Sequence, residues 1–224
     1  MLELDVVTIK FDDNEVSRRD TPKIRGYIAN KFPEYIELHN HNDQGFVYHY
    51  PLIQYKTLNN QPVLIGVGKG AEILTKIEPE IKKLDIGGDI QQIYQKSISY
   101  NKIVFGLTNQ LVQYKFITHW MALNQNNYLK YSNSSRNDRT ELLNRILIGN
   151  LISMSKGVQY DVKERLYVIA KVFPVDINFK NQKMIAFKGS FICNFLIPDF
   201  LGIGKSVARG FGTVLKEDGF LNIG

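Results

Sequence analysis

Two histidines separated by one residue are the side chains in this chain best suited to acid–base chemistry. His39 and His41 lie in the segment EYIELHNHNDQG. Residues i and i+2 of an extended segment point to the same side of the backbone, so we expect the two imidazoles to project together. Imidazole titrates near neutral pH, and two such groups can supply a general base and a general acid. This pair suits the cleavage of RNA through its 2′-hydroxyl, with no metal ion required.

Other interpretations of the histidines stay open. The spacing of His39 and His41 also occurs among metal ligands, but a catalytic zinc site needs a third ligand, for which Asp43 is the nearest candidate. The letters HNH match metal-dependent nucleases only by coincidence, because those residues are spread over a ββα unit. The pair is also compatible with surface histidines that have no chemical role. His49 is predicted to lie in a strand, and His119 to hydrogen-bond within the core.

A glycine-rich segment near the end of the chain suggests binding of phosphate groups. GIGKSVARGFGTV contains the Gly-Lys-Ser of a nucleotide-binding loop, but the first glycine that such a loop requires falls on Asp199. A dinucleotide motif fails as well, because its third glycine falls on Val207. Two readings remain: a loop that binds a polyanion backbone through Lys205, Arg209 and backbone amides, or a turn that docks the C-terminal strand onto the core.

Composition bounds the classes of protein to consider. The chain has 224 residues, 44% of them hydrophobic, which suits one or two globular domains. A net charge of +6 and 12% aromatic residues are compatible with nucleic-acid binding. Cys193 is the only cysteine, which excludes an internal disulfide and a cysteine-rich zinc site and favours the cytoplasm. No apolar run approaches the roughly 20 residues of a membrane span, and the alternating N-terminus predicts a strand instead of a signal peptide.

The elements that must position these residues follow a recognisable order in the first half. Periodicity predicts strand, helix, strand, strand, helix and strand, which is the order of a ferredoxin-like unit. The helix after the first strand is predicted to be capped by Thr21, with Pro22 in its first turn. The predicted elements are a strand over 2–11, a helix with Ile24, Ile28 and Phe32 on one face, two strands joined at Asn59 and Asn60, a helix over 69–77 and a strand over 87–100.

The second half repeats a similar plan. A strand region over 101–120 is followed by a helix over 137–157 and by a hairpin over 165–197 that turns near Asn181. For the helix, Asp138 and Glu141 form a capping signal, and an apolar face is predicted from Leu142, Ile146 and Leu151. We therefore predict an α+β fold of two tandem ferredoxin-like domains packed side by side, residues 1–101 with the histidines and residues 102–224 with the glycine-rich segment.

These motifs together resemble the CRISPR repeat-processing endoribonucleases of the RAMP superfamily. GIGKSVARGFGTV looks like the glycine-rich loop of those proteins. RGYIANKF, LHNHND, YHYPLIQYK, YKFITHWMALNQNNY and RILIGNLISMSKG look like sequence blocks of one subgroup. The resemblance spans most of the chain. It implies a metal-independent nuclease of prokaryotic cytoplasm, without a cofactor, that cuts precursor CRISPR RNA within each repeat and leaves 2′,3′-cyclic phosphate and 5′-hydroxyl ends.

The resemblance also implies roles for particular residues. The general base falls on His39 or His41, with Tyr48 and Lys56 as helpers that orient the phosphate or stabilise its charge. RNA binding, or the shaping of an inter-domain groove, falls on the glycine-rich loop, namely on Gly202, Gly204, Lys205, Arg209, Gly210 and Gly212. The implied partner is CRISPR repeat RNA, with effector-complex proteins and a second copy of the chain as further candidates. Some RAMP proteins are not nucleases, so a non-catalytic RNA-binding subunit of an effector complex is the alternative.

Overall fold

The protein forms two compact units in a computed structural model. The structure describes the backbone of residues 1–39, 41–42, 45–46 and 50–217, and the side chains of residues 1–39 and 50–217. The N-terminal unit comprises Glu3–Ile103 and Val207–Gly210, and the C-terminal unit comprises Met1–Leu2, Val104–Ser206 and residues 211–217. A segment of the glycine-rich loop therefore packs with the unit that carries the histidines.

The N-terminal unit has the strand order of a ferredoxin-like fold. Its sheet runs β4-β5-β1-β8, and β5 pairs antiparallel with both β1 and β4. Its elements are β1 (Leu2–Phe11), a 3-10 helix (Arg18–Asp20), α1 (Thr21–Lys31), α2 (Ile36–His39), β2 (His41–Asn42), β3 (Gly45–Phe46), β4 (Ile53–Leu58), β5 (Gln61–Val67), α3 (Lys69–Ile77), a 3-10 helix (Glu78–Glu80), β6 (Lys83–Asp85), β7 (Ile90–Gln92) and the start of β8 (Lys96–Trp120).

Local sequence explains most of this unit. Asn59 and Asn60 both adopt positive φ, 50° and 63°, which is the conformation that a two-residue hairpin turn requires. The predicted apolar face of α1 is confirmed, and its side chains lie in one core with those of β1 and α3. The predicted cap is wrong, because Asp20 is the N-cap residue and the Thr21 hydroxyl hydrogen-bonds the Thr57 hydroxyl of β4 at 2.9 Å.

The predicted strand over 87–100 is only partly correct. The chain first forms a short hairpin, in which Leu84 of β6 pairs with Gln91 of β7. The turn of this hairpin contains Gly87 and Gly88 with φ of 71° and 98°, and these glycines interrupt the extended conformation. The strand resumes at Lys96 and continues without a break to Trp120.

The C-terminal unit repeats the same strand order. Its sheet runs β9-β10-β8-β11, and β8 takes the place that β1 has in the first unit. The second ferredoxin helix is reduced here to a 3-10 helix, which lies in the segment that packs with the N-terminal unit. The elements that follow β8 are α4 (Gln125–Asn133), α5 (Arg136–Gly157), β9 (Val168–Phe179), β10 (Gln182–Leu196), the 3-10 helix (Val207–Arg209) and β11 (Val214–Lys216).

Helix α5 begins earlier than the sequence predicts. Ser135 is its N-cap, and the Ser135 hydroxyl accepts a hydrogen bond from the backbone N–H of Asp138 at 3.3 Å. Asp138 is therefore not the cap, although its carboxylate accepts a hydrogen bond from the same hydroxyl at 2.6 Å. The apolar face is also shifted. Its buried positions are Leu143, Leu147, Leu151 and Met154, so only Leu151 of the predicted face is fully buried.

An aromatic core lies between α5 and the sheet of the C-terminal unit. Phe116 stacks on Trp120, with ring centroids 5.3 Å apart, and Trp120 Nε1 donates to Asn150 Oδ1 of α5 at 3.1 Å. The predicted turn near Asn181 is confirmed, since Lys180 and Asn181 have φ of 51° and 61°. In the described part of the chain, no helix is long and apolar enough to cross a membrane.

Candidate active site

The two histidines do not lie in one extended segment as predicted. His39 is the last residue of α2, whereas His41 begins β2 and pairs with Phe46 of β3. The extended-segment argument for parallel side chains therefore does not apply to His39. The side chain of His41 lies outside the described part of the structure, as do Asp43, Tyr48 and His49.

Arg25 of α1 holds the backbone of His39. Its Nη2 donates a hydrogen bond to the carbonyl oxygen of His39, which closes the end of the short helix α2 against α1. Burial lowers the pKa of Arg25, and the positive charge of Arg209 lowers this pKa further, while the phenol of Tyr55 acts in the opposite direction. Arg25, Tyr55 and Arg209 are therefore electrostatic neighbours beside His39.

Tyr55 and Lys56 lie on opposite faces of the sheet of the N-terminal unit. Side chains alternate along a strand, and Thr57, two residues from Tyr55, bonds to α1. Tyr55 thus faces α1, where it is only 1% exposed. Its hydroxyl has no hydrogen-bond partner in the described part of the protein. Burial raises the pKa of Tyr55, and the charge of Arg25 partly opposes that rise.

Lys56 is buried on the other face in a polar chain. Its Nζ donates to Gln54 Oε1 at 3.0 Å, and Gln54 Nε2 donates to the hydroxyl of Tyr50 at 2.8 Å. Lys56 is 1% exposed, and this burial lowers the pKa of its ammonium group to about 7. A buried lysine with such a pKa can both give and take a proton at neutral pH.

The glycines of the C-terminal loop permit close packing. Gly212 has φ of 64°, and a Cβ built on it would lie 1.9 Å from the carbonyl oxygen of Ile203. Gly204 has φ of 96°, and a Cβ there would lie 2.7 Å from Trp120 Nε1. Gly202 forms an isolated bridge with Thr213. These glycines allow the loop to lie directly against the sheet of the C-terminal unit.

Several backbone amides of this loop are used inside the protein. Ile203 N donates to the carbonyl of Gly212 at 2.9 Å, Lys205 N to that of Met121 at 3.1 Å, and Gly212 N to that of His119 at 2.8 Å. These amides do not point outward as an anion-binding nest would require. The reading of the segment as a turn that docks the C-terminal strand is therefore supported for these positions.

The cations of the loop belong to different units. Lys205 is exposed in the C-terminal unit, whereas Arg209 and Gly210 pack with the N-terminal unit. The 3-10 helix that carries Arg209 contacts α1 and β4. A Cβ on Gly210 would lie 3.3 Å from the carbonyl oxygen of Tyr55, which shows how closely this segment approaches β4.

In the described part of the chain, the structure shows neither a nucleotide-binding loop nor a group of metal-binding side chains. Asp199, at the position of the first Walker glycine, accepts a hydrogen bond from the backbone N–H of Lys216 at 2.8 Å, which ties the loop to β11. Among the residues that the structure describes, no three His, Cys, Asp or Glu side chains are grouped so that they could hold a metal ion.

The sequence motifs indicated Arg209 as a site residue but gave no indication of Arg25 or Tyr55. Arg25 carries no signal in the sequence, because a basic residue on an amphipathic helix is usually solvated. Tyr55 stands in a strand where tyrosines are usually core residues. Only the folded chain shows that the Tyr55 hydroxyl is buried and has no hydrogen-bond partner among the described residues.

The repeated strand order defines a protein built from two ferredoxin-like units. A family model described as the Cas6b N-terminal domain matches residues 2–104, and one described as the Cas6b C-terminal domain matches residues 106–217. The chain belongs to the Cas6b family.

Two solved structures agree with this assignment, and a protein of a methanogenic archaeon is similar in sequence. A crystal structure described as Cas6b is 41% identical, with a TM-score of 0.91 over 96% of this chain and 100% of that one. A second, described as CRISPR RNA processing endoribonuclease Cas6b, is 36% identical, with a TM-score of 0.79 over the same shares. An uncharacterised protein of Methanocaldococcus jannaschii is 37% identical over 139 residues, which are 62% of this chain and 95% of that protein.

Proposed function

We propose that this protein cleaves precursor CRISPR RNA within its repeats. The observation that carries this proposal is the match of both halves to the Cas6b family models, together with full-length similarity to a protein described as a CRISPR RNA processing endoribonuclease. The proposed products carry a 2′,3′-cyclic phosphate and a 5′-hydroxyl.

The proposed mechanism is metal-independent acid–base catalysis. His39 or His41 takes the proton from the ribose 2′-hydroxyl, and the 2′-oxygen then forms a bond to the adjacent phosphorus. The bond from phosphorus to the 5′-oxygen breaks, and the second histidine gives that oxygen a proton. The hydrogen bond from Arg25 to the carbonyl of His39 supports this assignment, because it fixes the end of the helix that carries His39.

Tyr48 and Lys56 are proposed as helpers in this reaction. Tyr48 would orient the phosphate, and Lys56 would stabilise the charge that develops on it. Lys56 lies on the strand that carries Tyr55 but on the opposite face of the sheet, where burial lowers the pKa of its ammonium group to about 7.

RNA binding is proposed to use the cations of the glycine-rich loop. Lys205 and Arg209 would contact the phosphate backbone, so we expect affinity to fall steeply with salt. Gly202, Gly204, Gly210 and Gly212 would hold the loop in the shape that presents these cations. The close approaches at Gly204, Gly210 and Gly212 support that role.

The test is cleavage of the host's repeat RNA in excess EDTA, with analysis of the end groups. We expect one cut in each repeat, a 2′,3′-cyclic phosphate on the upstream fragment and a 5′-hydroxyl on the downstream fragment. Uncut RNA in EDTA, with cleavage restored by a divalent cation, would overturn metal independence. Tight binding with no cut under either condition would favour a non-catalytic subunit of an effector complex.

Further partners and the place of action follow from this proposal. The substrate is a transcript of a prokaryotic CRISPR array, so the proposed place of action is the cytoplasm. A second copy of the chain and effector-complex proteins are the proposed protein partners. Light scattering of the protein with and without repeat RNA would show whether two copies assemble on the substrate.

A further inference from the structure

Arg25, Arg209 and Tyr55 form a positively charged cluster on the N-terminal unit, beside His39. Arg25 lies on α1, Tyr55 on β4 beneath it, and Arg209 on the 3-10 helix that contacts both elements. Arg25 is half-buried, and its only described hydrogen bond to the protein goes to the carbonyl of His39.

The charge of Arg25 is not neutralised inside the described protein. Arg25 forms no ion pair with any carboxylate in the part of the chain that the structure describes. Asp20, the nearby acid at the start of α1, is bound to Lys23 at 2.8 Å instead. Holding the guanidinium group of Arg25 in a partly buried place without a counter-charge costs free energy.

The hydroxyl of Tyr55 is the second, independent observation. Buried hydroxyl groups are almost always hydrogen-bonded, and each exception calls for an explanation. Tyr55 is 1% exposed, its hydroxyl has no hydrogen-bond partner among the residues that the structure describes, and its phenol interacts electrostatically with Arg25. A neutral hydroxyl next to guanidinium groups is a suitable donor to an anionic oxygen.

We propose that Arg25, Arg209 and the Tyr55 hydroxyl form a binding site for one phosphodiester group of the RNA, next to His39. Guanidinium groups match the geometry of phosphate oxygens, and Tyr55 would donate to a third contact point of the same group. The bound phosphate would neutralise Arg25 and hold the ribose near the histidine. This inference rests on the proposed function, because it takes the anion to be part of the RNA substrate.

The test measures RNA affinity and its salt dependence in full-length variants. The probe is the host's repeat RNA with a 2′-deoxy nucleotide at the site that the wild-type protein cuts, so that binding is measured without cleavage. Tyr55→Phe removes only the hydroxyl and Arg209→Gln removes one charge. Their matched controls are Tyr94→Phe and Arg19→Gln, which change exposed residues of the same unit.

We expect both test variants to bind about 5- to 10-fold more weakly than wild type. The slope of log affinity against log salt should be shallower by about 0.7 for Arg209→Gln, because RNA binding by that variant releases fewer counterions. The slope should be unchanged for Tyr55→Phe, which alters no charge. The double variant Tyr55→Phe, Arg209→Gln should lose less binding free energy than the sum of the two single variants' losses, because both side chains contact one phosphate. The controls should bind as wild type does.

Thermal stability separates this site from a structural role. The Tyr55 hydroxyl has no hydrogen-bond partner in the described part of the free protein, so Tyr55→Phe should melt at or above the wild-type temperature. Wild-type affinity for Tyr55→Phe, or weak binding accompanied by a lower melting temperature, would overturn the phosphate site. A wild-type protein that neither binds nor cuts repeat RNA would instead overturn the proposed function.

Discussion

Replacing Lys56 by methionine should change how the stability of the fold depends on pH. Burial lowers the pKa of Lys56 from 10.5 to about 7. Each pH unit of such a shift corresponds to about 1.4 kcal/mol, so charging this lysine in the folded state costs about 5 kcal/mol relative to the unfolded chain. Methionine has a similar length and carries no charge, so the variant avoids this cost.

The direction of the pH effect follows from where the proton is bound. Between pH 7 and 10.5 the unfolded chain holds the proton of Lys56 and the folded protein has released it. The stability of the wild type therefore rises with pH in this window, by at most about 1.4 kcal/mol per unit, and its Lys56 contribution is constant well below pH 7. The methionine variant lacks this contribution at every pH.

We therefore expect Lys56→Met to be more stable than wild type at pH 6, by about 3 kcal/mol. This value allows about 2 kcal/mol for the lost hydrogen bond to Gln54. The advantage should shrink with each pH unit above 7 and approach zero near pH 9. Urea denaturation at pH 6, 7, 8 and 9 measures it, with Lys83→Met as a control for the loss of one exposed positive charge. A stability difference that stays constant from pH 7 to 9 would refute the burial of an uncharged Lys56.

Two further substitutions test the loop and the long helix. Gly212→Ala should destabilise the protein by about 2–4 kcal/mol, because its Cβ would meet the carbonyl of Ile203 at 1.9 Å and φ is 64°. Gly149→Ala is its control: nothing lies within 4 Å of that position in α5, so stability should rise by about 0.5–1 kcal/mol. Ser135→Ala should cost about 1 kcal/mol, because the N-cap of α5 is lost, whereas Asn133→Ala, at the exposed last residue of α4, should cost less. Urea denaturation measures all four, and an unchanged midpoint for Gly212→Ala or Ser135→Ala would contradict its assigned contact.

The strand order could be predicted from the sequence because local signals determine it. Hairpin turns are marked by asparagine, which tolerates positive φ, at Asn59, Asn60 and Asn181. Between such turns the alternation of apolar and polar residues is enough to place strands. The ferredoxin-like order of both halves then follows from the sequence of elements alone.

The short helices could not be predicted in the same way. The helix α4, QNNYLKYSN, buries only Tyr131, so it has no apolar face for periodicity to detect. The helix α2 has four residues, and its last residue, His39, is fixed by Arg25 from another element. A tertiary hydrogen bond of this kind leaves no mark in the local sequence, and for this reason His39 was expected in an extended segment.

The site was only partly visible in the sequence for a similar reason. The glycine-rich motif drew attention to Arg209, but nothing in the motif indicates that this residue packs with the other unit. The burial of Lys56 is also unexpected, since lysine is rarely buried. Each of these facts depends on contacts between segments that are distant along the chain.

The proposed mechanism requires His39 and His41 to cut RNA without a metal ion. The most direct measurement compares wild type with the double variant His39→Ala, His41→Ala in excess EDTA, using single-turnover cleavage of repeat RNA and affinity for its uncleavable form. We predict that the double variant binds with nearly wild-type affinity and cuts at least about 10³-fold more slowly. Cleavage by the double variant at the wild-type rate and position would contradict catalysis by His39 and His41.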